Sequence, residues 1–181
     1  MKLFFLIAII GLFLTLNSCN GKGTENPSTD SGTASTKDTL TYAFKAGYSS
    51  DITVPGNPVI AQKVLQVWKM FETNQVDSMK PYFADSVVYE DAGGMHYSGP
   101  TAGLLAYAKK DIESLDSMRF DISQWQCAHI NDKNEDWVYI WSSERRYPRN
   151  GKADTVMMQE NWKVKDGKVV YFNQYLAKVR K

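Results

Sequence analysis

The chain has 181 residues, 43% of them apolar, with 21 basic against 20 acidic side chains and a formal charge of +1. A near-neutral chain without a basic patch is not built for nucleic acid or for electrostatic adhesion to a membrane. Its length allows one domain with one core.

Residues 1–18 have the pattern of a signal peptide. Lys2 supplies the positive end, and Leu3–Leu16 is an apolar run of roughly fourteen residues, short of the about twenty a membrane-spanning helix needs. The run stops at Leu16-Asn17-Ser18-Cys19, which resembles a bacterial lipobox. That resemblance implies cleavage before Cys19 and a diacylglyceryl thioether on its sulfur. The expected location is the cell envelope, as an outer-membrane or periplasm-facing lipoprotein held to the membrane through lipidated Cys19. An ordinary secretory signal, with a secreted product, is the alternative.

Residues 19–39 are the lipidated cysteine and a tether of Gly, Ser, Thr, Asn, Asp, Lys and Pro. Such a composition cannot bury enough apolar surface to offset the entropy of ordering, so a flexible spacer is expected. Cleavage takes Lys2 away and leaves 20 basic against 20 acidic side chains, so the anchor is the lipid. Cys127 is then the one remaining thiol, which excludes an intrachain disulfide framework. Neither His96 nor His129 has a partner at metal-ligand spacing, so no metal and no cofactor are expected.

Residues 40–56 read as an N-terminal extension lying on a domain that occupies residues 57–181. Asn57-Pro58 is an N-cap followed by proline at the first helical position. Ala61, Val64, Leu65, Trp68 and Phe71 then form one stripe of an amphipathic helix. A short helix over about Val76–Tyr82 leads into a strand, Ser86–Asp91, and a Gly93-Gly94-Met95-His96 loop. Ser98-Gly99-Pro100 starts another helix, with Leu104, Leu105, Ala108, Ile112 and Leu115 on its buried face. From Met118 onward the pattern is all strand: Met118–Ile130, Asp136–Tyr147, Ala153–Val164 and Lys168–Leu176. Asn150-Gly151 is a type I′ hairpin signal, and Asp166-Gly167 turns the chain again. Helices followed by a strand meander give an α+β fold with an antiparallel sheet.

Alternation singles out two carboxylates. Along Ala153–Val164 the even positions Val156, Met158, Trp162 and Val164 form the buried face, and Glu160 shares it. A carboxylate there must be neutral, paired or facing a cavity, and a salt bridge to Arg145 or Arg146 is as compatible as a pocket role. Asp91 shares the parity of Val87 and Tyr89, so it is either a solvated strand end or an acid aimed into a cavity. His96 is a third, weaker candidate for acid–base chemistry. Trp68, Tyr89, Trp125, Trp141, Met158 and Trp162 are core residues or, equally, the walls of a site for a flat apolar ligand.

The order of helix, short helix, Phe83-Ala84-Asp85-Ser86, strand, Glu90-Asp91, glycine-rich turn, Ser98-Gly99-Pro100 helix and long meander resembles the nuclear transport factor 2-like superfamily. That superfamily includes the SnoaL-like polyketide cyclases and the ketosteroid isomerases, and the resemblance covers about residues 57–176. It implies a cone-shaped, strongly curved antiparallel sheet wrapped around the N-terminal helices, a roll of the cystatin-like kind, open at one end to a pocket. In ketosteroid isomerases the position matching Asp91 is the proton-shuttling base. The position matching Glu160 is a protonated acid that donates to the developing oxyanion. The family's oxyanion tyrosine falls at about Val67, beside Trp68, and neither donates a phenolic proton. Three functions follow: binding of a small, largely apolar molecule; acid–base isomerase, cyclase or hydratase chemistry with Asp91 and Glu160; or an interaction module whose sheet face pairs with a copy of itself, as a homodimer, or with another envelope protein.

Overall fold

The computed structural model describes residue 43 and residues 45–178; the leader, Cys19 and the tether lie outside these described residues. Helix α1 spans Pro58–Glu72, capped by the Asn57 side chain, which accepts the Val59 N–H at 3.0 Å. Its buried face is Ile60, Ala61, Val64, Val67 and Trp68. A 3₁₀ helix, Val76–Tyr82, leads into β2, Phe83–Asp91; helix α2 spans Thr101–Glu113. The long strands are β4 (Leu115–Ile130), β5 (Glu135–Pro148), β6 (Asp154–Lys165) and β7 (Lys168–Lys178). Two short strands join them, β1 (Ile52–Thr53) and β3 (His96–Pro100). Among the described residues no helix is long and apolar enough to cross a membrane.

One seven-stranded sheet has the order β1-β4-β5-β6-β7-β2-β3. All neighbours are antiparallel except β2 and β7, which run parallel, so the sheet is mixed rather than wholly antiparallel. Alternation reports which face a residue occupies but not which strand lies alongside, so this pairing is invisible in the sequence. Register shifts interrupt β2–β7, β4–β5 and β6–β7. Such bulges bend and twist strands, and here they curl the sheet around α1 and α2. The core between helices and sheet includes Val64, Val67, Trp68, Val87, Leu104, Val138, Ile140 and Trp162.

Three local expectations change. Met95-His96 does not belong wholly to a loop: Gly94 takes φ +92°, the chain reverses, and β3 pairs back on β2 from Glu90↔His96 to Ser86↔Pro100. Helix α2 therefore starts at Thr101, and Leu115 opens β4 instead of closing the helix. Asn150-Gly151 is not a type I′ turn, since neither residue has positive φ and Arg146↔Asp154 is the last pair before a longer loop. Pro148, which cannot donate to a ladder, closes β5, and the β5–β6 pairing stops two residues before it, at Arg146. The two-residue turn with positive φ at both positions is Asp166-Gly167, at +51° and +73°, between the paired Lys165 and Lys168.

The described part of the extension packs on the sheet. β1 pairs with the end of β4, and Tyr48 donates to Glu135 while its ring meets Trp137 edge-on at 6.0 Å.

Candidate ligand-binding site

Between the helices and the inner face of the sheet lies a cavity of about 420 Å³. Its deep walls are aromatic. Trp68 of α1 packs on Phe120 of β4 with centroids 4.6 Å apart, and Trp162 of β6 stacks on Phe172 of β7 at 4.4 Å. Its mouth is polar, formed by Tyr107 and Asp111 of α2, Glu144 and Arg146 of β5, and Asp154 of β6. The aromatic positions follow from alternation on curved strands, which puts every second side chain inside.

Both carboxylates singled out by parity line this cavity. The register explains how: Asp91 on β2 pairs with Gln174 on β7, which pairs with Glu160 on β6. The two acids thus sit in one row, two strands apart, or about 10 Å at ordinary strand spacing. Gln174 stands between them, accepting the Tyr89 hydroxyl at 3.2 Å and donating its Nε2 to Glu160 Oε1 at 2.9 Å. Trp162 Nε1 donates to the other oxygen, Oε2, at 2.7 Å.

Glu160 is only 6% exposed, and burial pushes its carboxyl up to about 8 despite the Trp162 and Gln174 donors. The like charge raising it further is Glu144, so the acid that couples to Glu160 is this one rather than Asp91. Near neutrality Glu160 is therefore mainly a neutral acid with a proton to donate. Both its oxygens already accept protein N–H groups, so that proton has the cavity as its natural direction. Among the described residues no arginine pairs with it, neither Arg145 nor Arg146. Arg146 instead holds Glu144 at 2.8 Å and both oxygens of Asp111, and these carboxylates keep its guanidinium pKa raised.

The Trp68 indole N–H adds a second donor. Trp68 is 5% exposed, lies on the cavity wall, and stands close enough to Glu160 to favour its ionised form, yet its N–H makes no hydrogen bond. A buried N–H without a partner costs on the order of 1–3 kcal/mol.

Asp91 is half-buried at the end of β2, and its Oδ1 accepts the Met95 N–H at 2.9 Å, closing the turn into β3. It is both a turn cap and a cavity acid. Burial, then the nearby Asp91 and Glu160 charges, raises the pKa of Tyr89.

The structure brings Trp68, Tyr89, Asp91, Glu160 and Trp162 to one cavity and leaves the other candidates outside it. Trp125 is 55% exposed and lines a separate depression between α1 and β4. Trp141 lies opposite Gln124 and Gln159 on the outer face. Met158 is buried behind the wall, its sulfur 3.4 Å from Gln174 Nε2. His96 is exposed and its Nδ1 meets Glu90 at 3.1 Å, away from the cavity. Trp125 and Trp141 mislead because aromatic character does not set the face: Trp141 has the parity opposite to the buried Ile140 and Ser142, and Trp125 follows the irregularity between Ile122 and Gln124. Gln174 and Glu144 were missed and Arg146 was named only as a partner for Glu160, although each is a polar side chain at an apolar-parity position, the same signal that marks Glu160. Among the described residues no group of three His, Cys, Asp or Glu side chains could hold a metal ion.

A cone closed by a curved sheet, with an aromatic pocket and a neutral acid inside, defines a nuclear transport factor 2-like architecture. The SnoaL-like domain model matches residues 64–172, more than half of the chain, and the protein belongs to that family. Among solved structures it is similar to an LEH-like epoxide hydrolase of M. tuberculosis, with TM-score 0.55 and 13% identity over 65% of this chain and 82% of that one. It is also similar to an NTF2-like protein of unknown function from Burkholderia pseudomallei, with TM-score 0.55 and 14% identity over 65% and 90%. A third is a protein of ketosteroid isomerase-like fold from Catenulispora acidiphila, solved in complex with trimethylamine, with TM-score 0.52 and 14% identity over 66% and 86%. At these identities the likeness is one of fold. No curated protein matches the sequence significantly.

Proposed function

We propose that this chain is a lipid-anchored envelope protein whose SnoaL-like domain binds a small, largely apolar molecule in its cone. The observation that carries the reading is a cavity of about 420 Å³ with aromatic walls and two hydrogen-bond donors, the Glu160 acid and the Trp68 indole, left free to meet a ligand. That volume is in the range of small-molecule sites, and few convergent polar groups in an apolar pocket are what orient a ligand. Both free groups are donors, so the ligand's buried end is a hydrogen-bond acceptor such as a carbonyl oxygen.

The test is to incubate the purified mature protein with an envelope extract and identify what stays bound by mass spectrometry. A retained small molecule carrying an acceptor, lost from the Glu160→Ala variant, supports the reading. A protein that retains nothing, with unchanged tryptophan fluorescence, overturns it. The anchor rests on Leu16-Asn17-Ser18-Cys19 and the tether-like composition behind it. Cys19→Ala should move the protein from the membrane fraction to the soluble one; unchanged partitioning removes the anchor from the proposal.

A second reading is acid–base chemistry on a carbonyl compound, favoured by the placement of Asp91 and Glu160 on one cavity. Asp91 would take a proton from carbon beside the carbonyl and return it, while Glu160 and Trp68 hold the oxygen on which charge develops. Solvent-deuterium exchange into an enolisable ketone, abolished by Asp91→Asn, is its signature. The open cavity favours both readings over a module that pairs only through its sheet face as a homodimer.

A further inference from the structure

The charges around the cavity are lopsided. Among the described residues its lining carries Asp91, Asp111, Glu144, Asp154 and Glu160 against a single basic side chain, Arg146. Arg146 is committed: it binds Glu144 and Asp111, so one positive charge serves two carboxylates. Among the described residues neither Asp91 nor Asp154 makes a salt bridge, although Asp154 lies across the β5–β6 pair from Arg146. Each accepts one backbone N–H on Oδ1, from Met95 and from Thr155, which leaves Oδ2 of both without a protein donor. With Glu160 neutral, the pocket keeps an excess of three negative charges near a low-dielectric aromatic wall, where fields are focused rather than screened.

An acidic rim alone would be an ordinary solvated surface. What marks this one as part of a ligand site is the unpartnered Trp68 N–H, 95% buried on the same cavity's wall, which a bound molecule would satisfy. That donor and the Glu160 proton fix the ligand's inner end as an acceptor; the surplus carboxylates fix the charge of its other end. The aromatic faces between them, Phe71, Phe120 and Phe172 among them, suit an apolar body and a nearby cation equally well.

We infer that the cone selects a cationic amphiphile: an apolar molecule with a hydrogen-bond acceptor at its inner end, beside Glu160 and Trp68, and a protonated amine or quaternary ammonium at its other end, beside Asp91. Carboxylates and phosphate esters of the same skeleton are excluded by the same charges. This inference rests on the ligand-binding reading above and adds the ligand's charge to it.

The test uses three aryl ketones of one carbon skeleton, ending in an ammonium, a hydroxyl or a carboxylate, titrated into the mature protein by calorimetry. The ammonium compound should bind about tenfold tighter than the alcohol, and the carboxylate about tenfold weaker. The gap should narrow as salt rises from about 20 mM to about 500 mM, because charges that solvent reaches are screened. In the Asp91→Asn variant the ratio of ammonium to alcohol affinity should fall toward one. An alcohol that binds as well as the ammonium compound, or a carboxylate that binds best, overturns the cationic ligand while leaving the binding function standing. Failure of all three to bind overturns the binding reading, and this inference with it.

Discussion

The floor and the mouth of the cone hold the same chemical group in opposite surroundings. At the floor, Glu160 sits among Trp68, Trp162 and Phe172, bonded only to uncharged donors, and burial raises its pKa to about 8. At the mouth, Glu144 is just as buried but lies 2.8 Å from the Arg146 guanidinium, which also grips Asp111. Burial by itself does not decide ionisation: a carboxylate keeps its charge where a cation compensates it and takes a proton where only neutral dipoles are available. One pocket thereby presents a proton donor inside and net negative charge outside.

The largest test of this contrast is the pH dependence of stability. The folded protein prefers Glu160 protonated, whereas the unfolded chain releases that proton near the ordinary 4.5. The stabilisation is therefore complete below about pH 4.5 and is lost as pH rises through about 8. Glu160→Gln keeps the shape without the proton. It should unfold with a flatter pH profile, gaining on the order of 3–4 kcal/mol over the wild type between pH 5 and pH 9 in chemical denaturation. Parallel profiles for the two proteins would mean that Glu160 is ionised throughout.

Breaking the mouth comes next. Arg146→Met strands Glu144 in the interior, so stability at neutral pH should fall by about 2–3 kcal/mol, less than a fully buried pair would cost because Arg146 is partly solvated. An Arg146→Met, Glu144→Gln double variant should recover most of that loss, because no charge is then stranded. A double variant that recovers nothing would assign Arg146 a packing role only.

Trp68→Phe separates the donor from the wall. Losing ring atoms costs about 1–2 kcal/mol, partly offset by removal of an unsatisfied N–H, so the net change in stability should stay near 1 kcal/mol. Affinity for a ketone probe should nevertheless drop about tenfold, the equivalent of about 1.4 kcal/mol. Unchanged affinity would show that the indole N–H does not meet the ligand.

The smallest effect on stability is expected at Asp91. Asn keeps an oxygen for the Met95 N–H, so Asp91→Asn should alter stability by less than about 0.5 kcal/mol. A melting temperature lower by many degrees would make the turn cap, rather than the cavity, the main role of this acid.

How much of this was legible beforehand differs from element to element. α1 and its Asn57 cap were readable because the amphipathic stripe and the capping side chain are local. The four long strands were readable from alternation, and Glu160 stood out because a carboxylate interrupted an apolar face. β3 was hidden by Ser98-Gly99-Pro100, which imitates a helix start, and the Asn150-Gly151 signal was overridden by the proline that ends β5.

The sequence by itself determined the α+β class, the face on which each strand residue lies, and the presence of two acids at buried parity, because periods of 2.0 and 3.6 are properties of the local backbone. Only the tertiary structure decided what those acids meet. The parallel β2–β7 pairing put Gln174 between Asp91 and Glu160, the packing of α1 on the sheet set Trp68 beside Glu160, and the end of α2 brought Asp111 to Arg146. Ionisation depends on distances between residues far apart in the chain, and those distances are set by register and curvature, which no local pattern encodes.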